Sequence, residues 1–205
     1  MNEKMILGEN MTTKEKILHA ALTLFSERGY DGVGVDELAM HAGVKGPAIY
    51  YHFKGKDAIL EGIVTIIEDY YDDNFGNPQN ITHFPKSAEE LIETSFSRIM
   101  FTIHDPMIKK ARKLIVTEQY RNERLSRLAT KHFITGLEGL YKVIFEHMIE
   151  AKIIAPYDSG MLAIEFTAPI THMIHRIDRE PHNENEQLEI IRKFMEHFVK
   201  VYGIS

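Results

Sequence analysis

The segment AGVKGPAIYYHFKGKDAIL, residues 42–60, concentrates side chains that can donate hydrogen bonds to phosphate. It contains the run Tyr-Tyr-His at 50–52, and between Val44 and Lys56 it carries three lysines and no carboxylate, a local charge of +3. Tyrosine hydroxyls, imidazole and backbone amides at a helix start all donate to phosphate oxygens, and lysines release counterions when they bind there. The segment therefore indicates contact with a nucleic-acid backbone.

Two short helices are predicted around this segment. The first spans about 35–42 and ends at Gly43. The second opens at Pro47, since a proline at the first helical position loses no hydrogen bond, and it runs to about Phe53 before Gly55. This order is typical of a helix-turn-helix. The helix that opens at Pro47 would be about 10 Å long, which fits a major groove about 12 Å wide.

The second helix can bury only one face. We expect its inner residues Ile49 and Phe53 to pack on the first helix and the turn, at Leu38, Ala39 and Val44. The outer face is then expected to present Ala48, Tyr50, Tyr51 and His52. Tyrosines at helical spacing are also typical of half-buried packing residues, and short helix-turn-helix elements occur in proteins that do not bind DNA. Composition and spacing leave both interpretations open.

The composition limits the class of protein. The chain has 205 residues, 44% of them hydrophobic, which is enough for a substantial core. It has no cysteine, which excludes disulfides, thiolate metal sites and cysteine nucleophiles. The net charge is −6, so DNA binding must depend on local charge. No signal-like segment and no run of about 20 apolar residues is present, which predicts a soluble cytoplasmic protein.

The apolar periodicity is helical nearly throughout and predicts an all-α fold of about nine helices. Thr12 and Glu15 have the spacing of a capping box at the start of the first helix, and Gly29 is a natural stop. A helix begins near Lys56 and continues to about Tyr70. Residues 74–86 are rich in Gly, Pro and Asn and predict a surface connection. Further helices are predicted at about 87–104, 107–118, 121–152, 158–178 and 184–202.

A specific set of residues between Lys14 and Leu60 carries a family resemblance. These are Ile17-Leu18, Ala20-Ala21, Leu24-Phe25, Gly29-Tyr30, VDELAMHAGV and IYYHFKGKDAIL. The run resembles the N-terminal domain of TetR-family (tetracycline-repressor-type) regulators, and the remainder matches in length and helicity. The resemblance implies an N-terminal tail (1–11), a three-helix helix-turn-helix DNA-binding domain (12–56) and a larger helical ligand-binding and dimerisation domain (57–205).

The resemblance also implies individual contacts. Residues expected on the DNA backbone are Lys45, Tyr50, Tyr51, His52 and Lys56. Residues expected on base edges or nearby phosphates are Gly46, Pro47 and Ala48. The family commonly has Ser or Thr where Gly34 and Ala48 stand in this chain. Without those hydroxyls, backbone amides, tyrosines and lysines must supply the phosphate contacts, and Ala48 can instead touch a thymine methyl.

The last two predicted helices indicate a dimer. Segment 184–202 has a long apolar seam, and segment 158–178 is apolar on more than one side. Burial in the chain's own core explains part of this, and pairing with a second copy, as the resemblance implies, would cover the rest. The predicted interface comprises Met161, Ile177, Leu188, Ile191, Met195, Phe198 and Tyr202. Two recognition helices about 34 Å apart would then read a near-palindromic operator.

The middle helices combine large apolar groups with a few polar tips, as small-molecule pockets do. The predicted pocket comprises Phe96, Met100, Ile103, His104, Tyr120, Phe133, Leu137, Tyr141, Phe166 and Met173. Each residue alone is typical of ordinary core. Pro169 is expected to kink its helix. A ligand that shifts the helix starting at Lys56 would change the spacing of the recognition helices.

Together with these patterns, the resemblance implies a homodimeric, ligand-responsive transcriptional regulator, a repressor released from its operator by a small-molecule inducer. One alternative is a helical small-molecule-binding protein without DNA binding, which the missing hydroxyls at Gly34 and Ala48 would suit. Another is a metal-dependent helical enzyme, for which His172 and His175, at i and i+3, are the available ligand pair. No catalytic motif supports an enzyme, and we expect no cofactor, no metal and no membrane contact.

Overall fold

The computed structural model describes residues 11–75, 81 and 83–204. These residues contain no β-strand, which confirms the predicted all-α class. In chain order the helices are α1 Thr13–Arg28, α2 Val35–Ala42, α3 Gly46–His52, α4 Lys56–Phe75, α5 Ala88–His104, α6 Pro106–Glu118, α7 Glu123–Thr130, α8 Gly136–Glu150, α9 Ser159–Arg179 and α10 Glu184–Val201. None of the described helices has the length and apolarity that a membrane span needs.

Helices α7 and α8 follow one another in sequence without a break, joined by a π-helical turn, Lys131–Thr135. Counted as one segment, they bring the described residues to nine α-helical segments, the predicted number, and a short 3₁₀ turn at Pro181–Asn183 precedes α10. Gly136 closes the π turn by donating its backbone N–H to the Lys131 carbonyl. A Cβ at Gly136 would lie 2.4 Å from that oxygen, so only glycine fits there. In the predicted connection at 74–86, residues 76–80 and 82 lie outside the described part.

The capping signals of α1 act as predicted. Thr12 N donates to Glu15 Oε2 at 2.7 Å, and Glu15 N donates to Thr12 Oγ1 at 3.3 Å, which completes the capping box. The helix ends at Gly29, whose φ of 77° suits a residue without a side chain. Most of the predicted tail, residues 1–10, lies outside the described part of the chain.

The helix-turn-helix has the predicted bounds with small differences. Helix α2 spans the predicted residues and ends at Gly43 in the left-handed conformation, φ 66° and ψ 32°. Helix α3 begins at Gly46, one position before Pro47, and Phe53 is its C-cap. Helix α4 continues beyond the predicted Tyr70, to Phe75.

Residues 11–75 and 104–129 form one compact unit, the first unit. In it, α1 packs against α2, α3, α4 and α6. Helices α1 and α4 approach so closely that a Cβ on Gly62 would lie 2.7 Å from Leu18 Cδ2 and 3.4 Å from Phe53 Cε1. The predicted domain boundary at residue 56 falls inside this unit. The division into a DNA-binding part and a ligand-binding part at residue 56 remains a prediction.

Residues 81, 83–103 and 130–204 form the second unit. Helices α5, α8, α9 and α10 contribute to its apolar core. Aromatic rings occupy the centre, with ring centroids of Tyr141 and Phe166 4.8 Å apart and those of Phe166 and Phe198 5.0 Å apart. Helix α9 runs from Ser159 to Arg179, so Pro169 within it does not end the helix.

Candidate nucleic-acid interface

Helix α3 is pinned on one face and open on the other. Ile49 and Phe53 are buried, as are Leu38 and Ala39 of α2, which confirms the predicted inner face. On the outer face the side chains of Tyr50 and Tyr51 are 62% and 85% exposed. Both rings therefore leave apolar area uncovered at the surface of the protein, where a partner can reach them.

The other predicted contacts lie along the same short helix. Lys45 is the exposed N-cap residue of α3, and Pro47 is exposed beside it. Gly46 and Ala48 are half-buried. His52 is also half-buried, and its ring meets the Tyr51 ring edge-on at a centroid distance of 5.0 Å. The first turn of α3 contains no acidic residue, although Asp36 of α2 lies near it, with its Oδ1 4.0 Å from where a Cβ on Gly46 would be.

Lys56 has a structural role. Its Nζ donates to the Val33 carbonyl at 2.9 Å and lies 4.2 Å from the centroid of the Tyr30 ring. An ammonium bound to a backbone carbonyl and an aromatic face holds the start of α4 against the segment before α2. We therefore leave Lys56 out of the proposed DNA contacts.

Two lysines that the sequence reasoning did not single out lie beside α3. Lys54 is exposed directly after the C-cap of α3. Lys14 Nζ lies 5.9 Å from the centroid of the Phe53 ring, which brings the first turn of α1 to the end of α3. The local charge of +3 already included Lys54. Lys14 is distant from α3 in sequence, so only the packing of α1 against α3 reveals it.

The position of Gly34 shows what its missing hydroxyl changes. Gly34 is the N-cap of α2 and provides no side-chain cap. A Cβ there would meet nothing within 4 Å, and the φ of −89° is open to any residue. A serine would therefore fit, and its absence leaves the first amides of α2 without a side-chain acceptor.

The predicted pocket residues separate into two groups. His104 and Tyr120 belong to the first unit, and the Tyr120 side chain is 92% exposed, so it does not line an enclosed pocket. The second unit contains the others, of which Met100, Phe133 and Leu137 are half-buried. Five lie in or against its apolar core: Phe96, Ile103, Tyr141, Phe166 and Met173.

Tyr141 supplies a polar group inside that core. Burial raises the pKa of Tyr141, while its hydrogen bond with Ser95 and the charge of Arg98 oppose this shift. The buried phenol therefore stays protonated and available as a hydrogen-bond partner. Among the described residues, no three His, Asp or Glu side chains converge as a metal ion would require.

The residues predicted for the dimer interface mostly face inward. Four are buried in the protomer's own core: Ile177, Ile191, Met195 and Phe198. Leu188 and Tyr202 pack partly against the same core, and Met161 is exposed. The apolar seam of α10 is therefore covered by the chain itself, and this corrects the prediction for the four buried residues.

Another face of α9 carries exposed apolar residues, interrupted by the exposed Glu165. Met161 and Ile164 are 52% and 42% exposed, and Ala168 continues their row along the helix. On α10, Phe194 and Val201 lie beside the inward-facing seam. Val201 is exposed and Phe194 is half-buried. The sequence indicated an interface here because apolar residues occupy more than one side of segment 158–178. The periodicity did not indicate which of the two apolar faces lies inside the protomer.

Comparison with known proteins identifies a family model that matches the N-terminal part of the chain and a relative that matches a longer stretch. Residues 17–63 match the family model of bacterial regulatory proteins, tetR family. Over 147 residues, 66% of this chain and 77% of the relative, the chain is 36% identical to the biofilm operon icaADBC HTH-type negative transcriptional regulator IcaR of Staphylococcus aureus (strain Newman).

Solved structures share the fold across nearly the whole chain. The complex of SmeT with triclosan superposes with a TM-score of 0.72 at 17% identity, covering 94% of this chain and 92% of that one. SmeT is the repressor of the Stenotrophomonas maltophilia multidrug efflux pump SmeDEF. Salmonella enterica GusR superposes with a TM-score of 0.64 at 18% identity, covering 94% and 97%. By its N-terminal match and its likeness to IcaR, the chain belongs to the TetR family of bacterial regulatory proteins.

Proposed function

We propose that the chain is a homodimeric repressor that acts in the cytoplasm, binds a near-palindromic DNA operator through α3 and is released by a small-molecule inducer. The observation that carries this proposal is the exposure of Tyr50 and Tyr51 on a helix whose opposite face is fixed by buried Ile49. Lys14, Lys45 and Lys54 lie beside the ends of that helix and add positive charge there, although the chain as a whole has a net charge of −6.

The relatives support both parts of the proposal. IcaR is a negative transcriptional regulator, and it shares more than a third of its aligned residues with this chain. SmeT is a repressor whose structure was solved with triclosan bound, and it has the same fold. A repressor that binds both DNA and a small molecule changes affinity for one when it binds the other, by about 1–3 kcal/mol of coupling.

For the dimer, we place the interface on the exposed apolar face of α9 at Met161, Ile164 and Ala168, together with the flank of α10 at Phe194 and Val201. Helices α9 and α10 pack on each other, so a second copy would complete a four-helix arrangement. An interface between identical copies is self-complementary, so these α9 and α10 residues would meet the same residues of the second copy.

For the ligand, we propose a site in the second unit around Tyr141, Phe166 and Phe96. Apolar and aromatic side chains there would bury most of a small molecule, and the Tyr141 hydroxyl would orient it. Tyr120 is excluded because its side chain is exposed.

Selection of bound duplexes from a random pool tests the proposal directly. The expected result is a near-palindromic site with half-sites about one DNA turn apart. Binding of the selected duplex is expected to weaken steeply with salt, and Lys45→Ala should lower the slope of log K against log salt by about 2 per dimer. Lys109→Ala, an exposed lysine on α6, is the matched control. Recovery of no enriched duplex would contradict the proposal.

A further inference from the structure

One buried carboxylate has no part in the recognition surface. Glu118, at the C-terminal end of α6, is only 3% exposed. Glutamate is almost never fully buried unless its charge has a partner. Its Oε1 accepts a hydrogen bond from the backbone N–H of Tyr30 at 3.0 Å. Glu118 therefore binds the first residue after the end of α1, at the start of the connection to α2.

The backbone of this connection leaves room for the carboxylate. Gly29, the C-cap of α1, has a φ of 77°, and a Cβ placed on it would lie 3.0 Å from Glu118 Oε1. A side chain at residue 29 would thus press against the carboxylate. Helix α6 is held to α1 at a second point, where Lys110 Nζ donates to Thr23 Oγ1 at 2.9 Å.

Tyr30 is also fixed from the side of α4. Its hydroxyl donates a hydrogen bond to Asp57, and its ring meets Phe25 edge-on at a centroid distance of 5.2 Å. Lys56 covers the ring and binds the Val33 carbonyl further along the connection. Burial, together with the bond to Asp57, raises the pKa of Tyr30, so the phenol remains a donor. The connection between α1 and α2 is therefore fixed at the Tyr30 amide by α6, and at the Tyr30 side chain and the Val33 carbonyl by α4.

We propose that Glu118 is a positioning residue for DNA binding, because its carboxylate fixes the backbone from which α2 and α3 project. This inference rests on the proposed function. The α1–α2 connection sets the angle at which α2 leaves α1, and α3 packs on α2 and carries the exposed tyrosines. Small angular errors at this point displace the donors of α3 from the phosphates, although Glu118 itself lies away from them.

The test compares two substitutions at Glu118 in the full-length protein, with the duplex selected by the wild-type protein as the probe. Glu118→Gln keeps the size and an acceptor oxygen for the Tyr30 amide, so the operator affinity should stay within about twofold of wild type. Glu118→Ala leaves that part-buried N–H without its acceptor, and the affinity should fall about tenfold. Glu123→Ala, whose side chain is 84% exposed, is the control and should bind as wild type does.

Amide hydrogen exchange gives a second measurement that needs no DNA. In the wild-type protein the Tyr30 amide should exchange at least tenfold more slowly than the exposed amides of Asp31 and Gly32. In Glu118→Ala this protection should be lost while the amides in the middle of α1 keep theirs. A general loss of stability would instead accelerate exchange throughout the core.

Each outcome decides between a positioning role and a purely structural one. Wild-type affinity in Glu118→Ala, or equal weakening by Gln and Ala, overturns the inference. If Glu118→Ala does not fold, the affinity of Glu118→Gln and the exchange rate of the Tyr30 amide in the wild-type protein still decide. Rapid exchange of the wild-type Tyr30 amide overturns the inference. A wild-type protein that selects no duplex removes the proposed function itself, and with it the role of Glu118 in DNA binding.

Discussion

Helices α3 and α10 both carry closely spaced aromatic side chains, and the structure uses them in opposite ways. On α3, Tyr50 and Tyr51 are exposed beside buried Ile49. On α10, Phe198 is buried and its ring lies 5.7 Å from that of Phe145 on α8. Successive residues of a helix point about 100° apart, so neighbours of an anchored residue must face elsewhere, whereas residues spaced by three or four share its face. Spacing relative to an anchor, more than residue type, separates a contact surface from a core.

The largest effect expected from this contrast is on stability. Phe198→Ala removes a ring from the aromatic core of the second unit and should lower the free energy of unfolding by about 3–5 kcal/mol. Tyr51→Ala removes an exposed ring and should change it by no more than about 0.5 kcal/mol. Urea denaturation at a protein concentration that keeps both variants dimeric measures the difference. Equal stabilities would show that Phe198 is not a core residue and would return it to the interface between copies.

Much of the fold was predictable because its signals are local. The capping box at Thr12, the left-handed stop at Gly43 and the proline near the start of α3 each act within a few residues, so the sequence located the helices around them. The inner and outer faces of α3 followed from the same local spacing.

The partners of individual side chains were not predictable, since they depend on which helix covers which face. Lys56 has the spacing of a phosphate contact, but Val33 and Tyr30 occupy its ammonium. The seam of α10 has the spacing of an interface, but α8 and α9 cover it. Lys14 and Glu118 meet residues far away in sequence, which no periodicity indicates.

The second prediction tests the outer face of α9. Ile164→Glu places a charge on an apolar surface that a second copy would bury, and the dissociation constant of the dimer should rise about 100-fold. Sedimentation over a concentration series measures it. Ile134→Glu introduces the same charge at an exposed isoleucine in the π turn and should leave the dimer intact. A dimer equally stable in both variants would move the interface away from α9.

The third prediction concerns the exposed rings of α3. Tyr50→Ala should weaken binding to all selected duplexes about tenfold, because a backbone contact carries no sequence information. Ala48→Thr should instead change the order of preference among duplexes, since this position faces base edges in the proposed complex. Gel shifts with a panel of single-base variants separate the two patterns. Normal binding by Tyr50→Ala would remove that residue from the proposed contacts.

The smallest expected effect lies at the start of α2. Gly34→Ser supplies the missing N-cap, and the free energy of unfolding should rise by about 0.3 kcal/mol. Gly34→Ala occupies the same open space without a hydroxyl and should lower it, because alanine is a poor N-cap. Thermal denaturation of the two variants side by side gives the sign. A stabilising alanine would mean that capping does not limit this helix.

Because α1 and α4 approach closely at Gly62, substitution at this position is expected to give temperature-sensitive variants. A methyl group there would have to displace the side chain of Leu18 or Phe53, and overpacking of this kind costs about 1–3 kcal/mol. A protein stable by about 5–15 kcal/mol tolerates such a loss when cool and unfolds sooner on warming. In a genetic screen for strains that silence their target at low temperature and express it at high temperature, Gly62→Ala is the substitution to look for.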